Sequence, residues 1–208
     1  MRLARVAVDI LRPVPVAVLT ARTRTVRAGK RVALLETVLE SAGQEILHAR
    51  GWRIALSGDA PVITRAGDVP PIPASPTVPR FPGGHLDGYL ATIDWRFVSG
   101  SFGQSGPSQA WGRPRIPLIE GEELSPMSRT LLLGDSGSGI SAALDAIRYL
   151  FINVDLTVVL HRDPVGEWIL LDALTTMGGT GTGLAETLVS DQSGVCGTGM
   201  QTLLIAPR

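Results

Sequence analysis

The sequence predicts an α+β protein made of two copies of one small domain, and three observations support this prediction. Runs rich in β-branched residues fill the chain on both sides of a proline-rich stretch. A single helical segment stands among the strands of the second half. A stretch that begins at Gly29 recurs, with substitutions, from Gly179. The expected order is therefore strands, one helix and strands, with part of that unit present twice.

The proline-rich stretch divides the chain. Residues 68–84 hold six prolines without sustained periodicity, which excludes a helix interior and a central strand. We predict a linker there. It separates a partial domain of strands at residues 1–67, the first copy, from a complete domain at residues 85–208, the second copy.

The predicted helix lies within residues 125–150, with Ser125 as its N-cap and Pro126 as its first residue. Glycines at its centre each cost about 1 kcal/mol relative to alanine, so tertiary packing has to compensate for them. The helix is expected to be buried, with the sheet wrapped closely around it. Its predicted apolar positions are Leu132, Ile140, Ala143, Leu144 and Ile147.

The repeat places matching residues at a nearly constant separation, with one residue inserted. This pattern favours duplication of one supersecondary unit that contains a long hairpin. The matches place Glu36-Thr37 on Glu186-Thr187, Gly43 on Gly194, and Ile54-Ala55 on Ile205-Ala206.

Composition excludes several classes of partner and site. Nineteen basic residues balance nineteen acidic ones, so there is no overall positive charge to hold nucleic acid or an anionic membrane. The one cysteine, Cys196, cannot form an internal disulfide. Neither a signal peptide nor a membrane-spanning apolar run is present, so a cytoplasmic location is expected. His161 and Cys196 lack metal-ligand spacing, and GGTGTG precedes a strand-like segment, so neither a metal nor a cofactor is predicted.

The motif GDSGSG raises the question whether Ser136 is a nucleophile. The glycines do not fit the G-x-S-x-G elbow, and the segment runs into a helix, unlike the strand that follows a chymotrypsin-type serine. A base and an orienting acid are not evident near it, since the histidines are only His48, His85 and His161. Small residues that pack the helix against the sheet, or that line a narrow channel, are the favoured interpretation.

Three strand motifs of the second copy resemble those of acyl-CoA thioesterase II, a family of double hotdog proteins. They are the strand of Asp155, which runs on to His161-Arg162, the strand that begins at Glu167-Trp168, and the final strand, which carries Gln201. The helix motif resembles that of actinobacterial thioesterase-like proteins, in which an aspartate, here Asp135, lies in the helix. The resemblance implies a double hotdog fold, in which antiparallel sheets wrap around central helices.

The resemblance also implies a site and a reaction. Asp155, Thr176 and Gln201 match the family's catalytic positions, which implies hydrolysis of a fatty acyl-CoA by water, without a cofactor or covalent intermediate. Asp155 would take a proton from the water, while Thr176 and Gln201 would hold it. Each also has a structural interpretation, as a polar strand residue satisfied locally. A substrate channel is expected along Asp135, Ser136 and Gly137.

The first copy differs from the second at these positions. By the repeat, the three catalytic positions fall on Arg5, Val26 and Arg50, so one active site per chain is expected. The first copy also lacks its helix, which would expose an apolar concave face. Preceding residues, another chain or degeneration of the protein could each account for this. The expected partners are an acyl-CoA substrate and, in a homo-oligomer, further copies of the chain.

Two other functions stay open from the sequence. One is a catalytically silent protein that binds acyl-CoA or lipid, which the missing helix favours. The other is a hotdog hydratase, which would pair an aspartate with a histidine. Asp155 and His161 lie six residues apart on one strand, or roughly 20 Å, so they cannot form that pair within an extended strand.

Overall fold

The computed structural model describes residues 1–65, 68–78, 88–145 and 147–208. The first copy contributes four strands: β1 (Arg2–Ile10), β2 (Thr20–Arg27), β3 (Val32–Ser41) and β4 (Gln44–Ile54). The second copy begins with a 3-10 turn (Tyr89–Thr92), β5 (Ile93–Ser99), β6 (Ser108–Pro114), α1 (Pro126–Gly134) and α2 (Gly137–Ile140). It ends with β7 (Tyr149–Asn153), β8 (Asp155–Leu160), β9 (Ile169–Met177), β10 (Thr182–Asp191) and β11 (Gly194–Pro207).

The described strands of both copies pair in one antiparallel sheet. Its order is β2-β3-β4-β1-β8-β11-β10-β9-β6-β5, and β7 pairs with the end of β11. The copies join where β1 lies beside β8, with Arg5 opposite Val159 and Asp9 opposite Asp155. Arg5 and Asp155 are equivalent positions of the repeat, as are Asp9 and Val159. Each copy therefore contributes the same strand to the join, in pseudo-twofold symmetry.

The hairpins β3-β4 and β10-β11 share one register. Both contain an irregularity at the same place, after Leu39 in the first copy and after Val189 in the second. Before it, Leu39 pairs with Leu47 and Val189 with Gly197, and after it Glu40 pairs with Glu45 and Ser190 with Val195. The prediction of one inserted residue is therefore wrong, because the two hairpins match residue for residue.

With this register, the residue of the first copy that corresponds to Gln201 differs from the predicted one. Leu35 pairs with Gly51, and Ala185, the counterpart of Leu35, pairs with Gln201. Gln201 therefore corresponds to Gly51 rather than to Arg50. The first copy has no side chain at this position.

The predicted helix starts where expected but is shorter than expected and broken. Ser125 caps α1, since its Oγ accepts from Ser128 N at 3.1 Å, and Pro126 is the first helical residue. α1 ends at Gly134, and α2 is one turn that ends at Ile140. Low helix propensity in the glycine-rich centre favours this early end. The predicted helical positions Ala143, Leu144 and Ile147 lie beyond α2, where the chain turns into β7.

The core lies between the helices and the concave face of the second copy. Leu133 and Ile140 of the helices and Val158 and Leu171 of the sheet are fully buried. Burial of each such side chain contributes about 1.5–3 kcal/mol. In the described residues no helix covers the first copy, and every residue of β2 is exposed. For the described residues of the first copy, the predicted absence of a helix is confirmed.

Part of the predicted linker lies on the second copy. Trp111, fully buried, donates from Nε1 to Pro70 O at 3.3 Å. Thr77 N donates to Trp95 O at 2.7 Å, and Thr77 Oγ1 accepts from Phe97 N at 3.0 Å. Residues 68–78 thus cover the outer edge of β5, which would otherwise present unpaired backbone groups. Residues 79–84 and His85 lie outside the described residues.

The helices of the described residues are short. α1, with nine residues, is the longest of them. None is long and apolar enough to cross a membrane.

Candidate functional site

A break in the helix presents an acidic side chain to solvent. Asp135 and Ser136 lie between α1 and α2. Ser136 N donates to Leu133 O at 2.9 Å, where a continuous α-helix would use Leu132 O. The chain tightens at this point, and Asp135 is exposed while Ser136 is buried.

Two side-chain amides hold one oxygen of Asp135. Asn153 Nδ2 donates to Asp135 Oδ1 at 2.9 Å. Gln201 Nε2 donates to the same atom at 3.3 Å and to the Asp135 backbone carbonyl at 3.0 Å. No group of the described residues bonds to Asp135 Oδ2. The carboxylate is therefore fixed through one oxygen, and the other has no hydrogen bond from the described residues.

The pKa of Asp135 is raised above its ordinary value. Desolvation of the carboxyl by the surrounding protein disfavours the charged form and has the largest effect. The hydrogen bonds from Asn153 and Gln201 act in the opposite direction, because they stabilise the anion. A carboxylate with a raised pKa accepts a proton more readily, which suits a general base.

Gln201 is buried on the helix-facing side of β11. Its Oε1 accepts from Ser138 N at 2.9 Å, so its amide nitrogen is turned towards Asp135. Gly137 allows this close approach, since a Cβ there would lie 3.2 Å from Gln201 Oε1 and closer still to Thr187. The small residues of the GDSGSG motif thus pack α2 against the sheet.

The hydroxyl of Ser136 bonds to a tyrosine. Tyr89 OH lies 2.9 Å from Ser136 Oγ and 2.7 Å from Leu132 O. Because a carbonyl only accepts, the single Tyr89 proton goes to Leu132 O, and Ser136 donates to Tyr89. No histidine of the described residues bonds to Ser136. This part of the structure gives Ser136 no base that could make it a nucleophile.

The carboxylate of Asp155, the predicted base, does not bond to the cluster formed by Asp135, Asn153 and Gln201. Its Oδ1 accepts from Thr202 N at 2.6 Å, beside the irregularity where β7 passes into β8. Its contact with the cluster is through the backbone, since Asp155 O accepts from Asn153 Nδ2 at 3.4 Å. The carboxylate bonds to a backbone amide, as in the structural interpretation, and its catalytic role stays a prediction.

Thr176 faces away from Gln201. The ladder places Ala185 opposite both Gln201 and Thr175, so Thr175 shares the face of Gln201. Thr176, the next residue, points to the opposite face and is exposed. The buried Thr175 bonds to Ser141 Oγ at 2.8 Å. The catalytic role of Thr176 also stays a prediction.

The structure thus groups only part of the predicted site and adds two residues to it. Gln201 and Asp135 meet, and Ser136 follows Asp135 in the chain. The sequence did not single out Asn153 or Tyr89. An amide side chain among the apolar residues of FINVDL was the one available signal for Asn153.

Models of one protein family match both copies. The model described as the acyl-CoA thioesterase C-terminal domain matches residues 66–205. The model described as the acyl-CoA thioesterase N-terminal domain matches residues 1–54. A search of curated proteins finds no match.

Solved structures share the fold at low sequence identity. Acyl-CoA thioesterase II TesB2 from Mycobacterium marinum is 17% identical, with a TM-score of 0.71, over 100% of this chain and 81% of that chain. A tesB protein from Mycobacterium avium subs paratuberculosis is 12% identical, with a TM-score of 0.73, over 99% and 79%. A hot dog fold protein of unknown function from Alicyclobacillus acidocaldarius is 17% identical, with a TM-score of 0.77, over 99% and 79%.

These similarities confirm the predicted double hotdog fold and the predicted family. Because the C-terminal model alone matches more than half of the residues, this chain belongs to the acyl-CoA thioesterase family.

Proposed function

We propose that the protein hydrolyses acyl-CoA thioesters to a free acid and coenzyme A, with Asp135 as the general base. The observation that carries this proposal is the arrangement of one carboxylate. Asn153 and Gln201 both bind Asp135 Oδ1, while no group of the described residues bonds to Oδ2. A thioester carbonyl is reactive enough for direct attack by water, so one oriented base can suffice.

The proposed reaction needs no covalent enzyme intermediate. Asp135 Oδ2 takes a proton from a bound water as the water oxygen attacks the thioester carbon. The tetrahedral intermediate then collapses and the carbon–sulfur bond breaks. Coenzyme A leaves as a thiolate, which takes the proton from Asp135. Asn153 and Gln201 hold the carboxylate in position for both proton transfers.

An apolar cavity on the same face of the sheet is suited to the acyl chain. It has a volume of about 400 Å³, and Leu144, Tyr149, Met177 and Ile205 contribute to its lining. Ile205 lies four residues beyond Gln201 along β11, or about 13 Å. The spacing lets a chain reach from the carboxylate into this cavity.

The test is release of free coenzyme A, measured by thiol titration with acyl-CoAs of several chain lengths. We expect turnover by the wild type, and turnover that persists in Ser136→Ala. Absence of turnover from the wild type with every substrate would contradict the proposal. A large loss in Ser136→Ala would instead indicate nucleophilic catalysis by the serine.

A second candidate is binding of acyl-CoA without turnover. The observation that favours it is the concave face of the first copy, which no described helix covers. Isothermal titration with the same acyl-CoAs distinguishes the two functions. Binding without release of coenzyme A would support this second candidate.

A further inference from the structure

The helix break leaves one carbonyl without a backbone donor among the described residues. Asp135 N donates to Leu131 O at 3.2 Å, and Ser136 N donates to Leu133 O at 2.9 Å. Leu132 O, which lies between these two acceptors, receives neither amide. A carbonyl omitted from a helical ladder is free to accept from another donor, such as a side chain or water.

Tyr89 supplies that donor from a distant part of the chain. Its hydroxyl donates to Leu132 O at 2.7 Å and accepts from Ser136 Oγ. The tyrosine lies in the 3-10 turn before β5, and Thr92 Oγ1 steadies the turn by donating to Tyr89 O at 2.7 Å. One phenol therefore binds both sides of the break.

These contacts favour the broken helix over a continuous one. In a continuous helix, Ser136 N would donate to Leu132 O and displace the phenol. Asp135 would then turn with the helix, away from the two amides that hold its carboxylate. The phenol satisfies Leu132 O without Ser136 N, so the tight turn at Ser136 can persist.

We propose that Tyr89 is a positioning residue for catalysis, which acts by holding the helix break that directs Asp135 to Asn153 and Gln201. This inference rests on the proposed function. Tyr89 makes no proton transfer in the reaction. Its effect passes through the position of Asp135 alone.

The phenol keeps its proton over the working range of pH. Burial raises the pKa of Tyr89 to about 12, and the nearby charge of Asp135 acts in the same direction, against the hydrogen bond with Ser136. Tyr89 is therefore a neutral donor to Leu132 O at every pH at which the protein would be assayed.

The test combines Tyr89→Phe with Asp135→Asn in a double-mutant cycle. In the wild-type background, Tyr89→Phe should lower kcat at least about tenfold and change KM by less than roughly twofold. In the Asp135→Asn background it should cause no further loss, since its effect passes through Asp135. Ser128→Ala removes a hydroxyl at the other end of α1 and should leave kcat unchanged.

A crystal structure of Tyr89→Phe provides a readout that does not depend on turnover. We expect Ser136 N to bond to Leu132 O, and Asp135 Oδ1 to lose at least one of its two amide donors. An unchanged break, or an equal loss of kcat in both backgrounds, would overturn the inference. A wild type without turnover would refute the proposed function, while this structure would still decide the role of Tyr89.

Ser136→Ala provides a second test should Tyr89→Phe fail to fold. It removes the donor to Tyr89 but keeps the bond from Tyr89 to Leu132 O. A loss of kcat smaller than about tenfold, and absent in the Asp135→Asn background, would support the inference. A loss that persists in that background would contradict it.

Discussion

The two copies share a backbone frame down to individual hydrogen bonds. Arg12 follows β1 and donates to Glu45 O at the start of β4. Arg162 follows β8 and donates to Val195 O, the equivalent carbonyl of β11. In the second copy this arginine also pairs with Asp191, whereas the first copy has Ser41 at that position.

The copies differ on the concave face. In the second copy, Asn153 and Gln201 meet Asp135 at the helix break. The first copy has Leu3 and Gly51 at the matching positions, and a Cβ at Gly51 would lie only 2.9 Å from the leucine side chain. The two copies therefore share a backbone arrangement and differ in the side chains on the concave face. Two amide side chains and a broken helix distinguish the candidate site from the matching face of the first copy.

Among exchanges of residues between the copies, the largest effect is expected when the second copy takes Leu3 of the first copy at position 153. Asn153→Leu removes a donor to Asp135 Oδ1 and should lower kcat for acyl-CoA hydrolysis about 100-fold. Steady-state kinetics with thiol detection measures the loss. The matched variant Leu3→Asn in the first copy should leave kcat unchanged, and equal losses in the two variants would contradict the comparison.

A second exchange tests the ion pair of the second copy. Arg162 binds both oxygens of the fully buried Asp191, at 2.5 and 2.7 Å. Asp191→Ser, the identity of the first copy, should lower the free energy of unfolding by about 3 kcal/mol at neutral pH. Urea denaturation measures this difference, and Ser41→Ala should change it by less than about 0.5 kcal/mol.

The stability from Asp191 also has a defined pH dependence. Burial acts to raise the pKa of Asp191, but hydrogen bonds from Arg162 and two backbone amides outweigh it and lower the pKa to about 2. The contribution is full above the unfolded pKa of about 3.9, and it is lost as pH falls through 2. A difference between wild type and Asp191→Ser that stayed constant over this range would refute the assignment.

A smaller effect is expected in the apolar cavity. Ile205 corresponds to Ala55, since each follows the last pair of its hairpin and donates its amide to the turn before β10 or β3. Ile205→Ala should raise the kcat/KM ratio of longer over shorter acyl-CoAs by about tenfold, because the cavity becomes larger. The acyl-CoA panel measures this ratio. No change in the ratio would exclude the cavity as the acyl site.

The smallest expected effect is on the pH profile. A general base has to be ionised, so kcat/KM should fall as pH drops through the raised pKa of Asp135. This acid limb should lie above the ordinary aspartate value of about 3.9 and should disappear in Asp135→Asn. An acid limb at or below that value would show that Asp135 is not the titrating base.

Sequence patterns were sufficient for features that depend on local residues. The start of α1 follows from Ser125 and Pro126, and the antiparallel strands follow from the β-branched runs. The glycine-rich centre makes an early end of α1 favourable, but the hydrogen bond of Tyr89 to Leu132 O at this end joins distant parts of the chain and could not be predicted. The position of Asn153 was equally inaccessible, because the irregularity after β7 decides which side chain reaches the helix.

The candidate site also combines residues that the sequence indicated with contacts that depend on the fold. The resemblance to known thioesterases indicated Gln201, and the structure places that residue against Asp135. It also indicated Asp155, whose carboxylate accepts from the backbone amide of Thr202 and whose catalytic role stays a prediction. A sequence motif identifies the strand on which a functional residue lies. Which of the neighbouring polar side chains contact one another depends on the pairing of the strands.

The most direct test of Asp135 as the general base is kcat for acyl-CoA hydrolysis by Asp135→Asn and Asp155→Asn, two isosteric changes of the same residue type. We expect a loss of about 10² to 10⁴-fold for Asp135→Asn and less than about tenfold for Asp155→Asn. Nearly unchanged turnover by Asp135→Asn, with the larger loss in Asp155→Asn, would contradict the role of Asp135 and identify Asp155 as the general base.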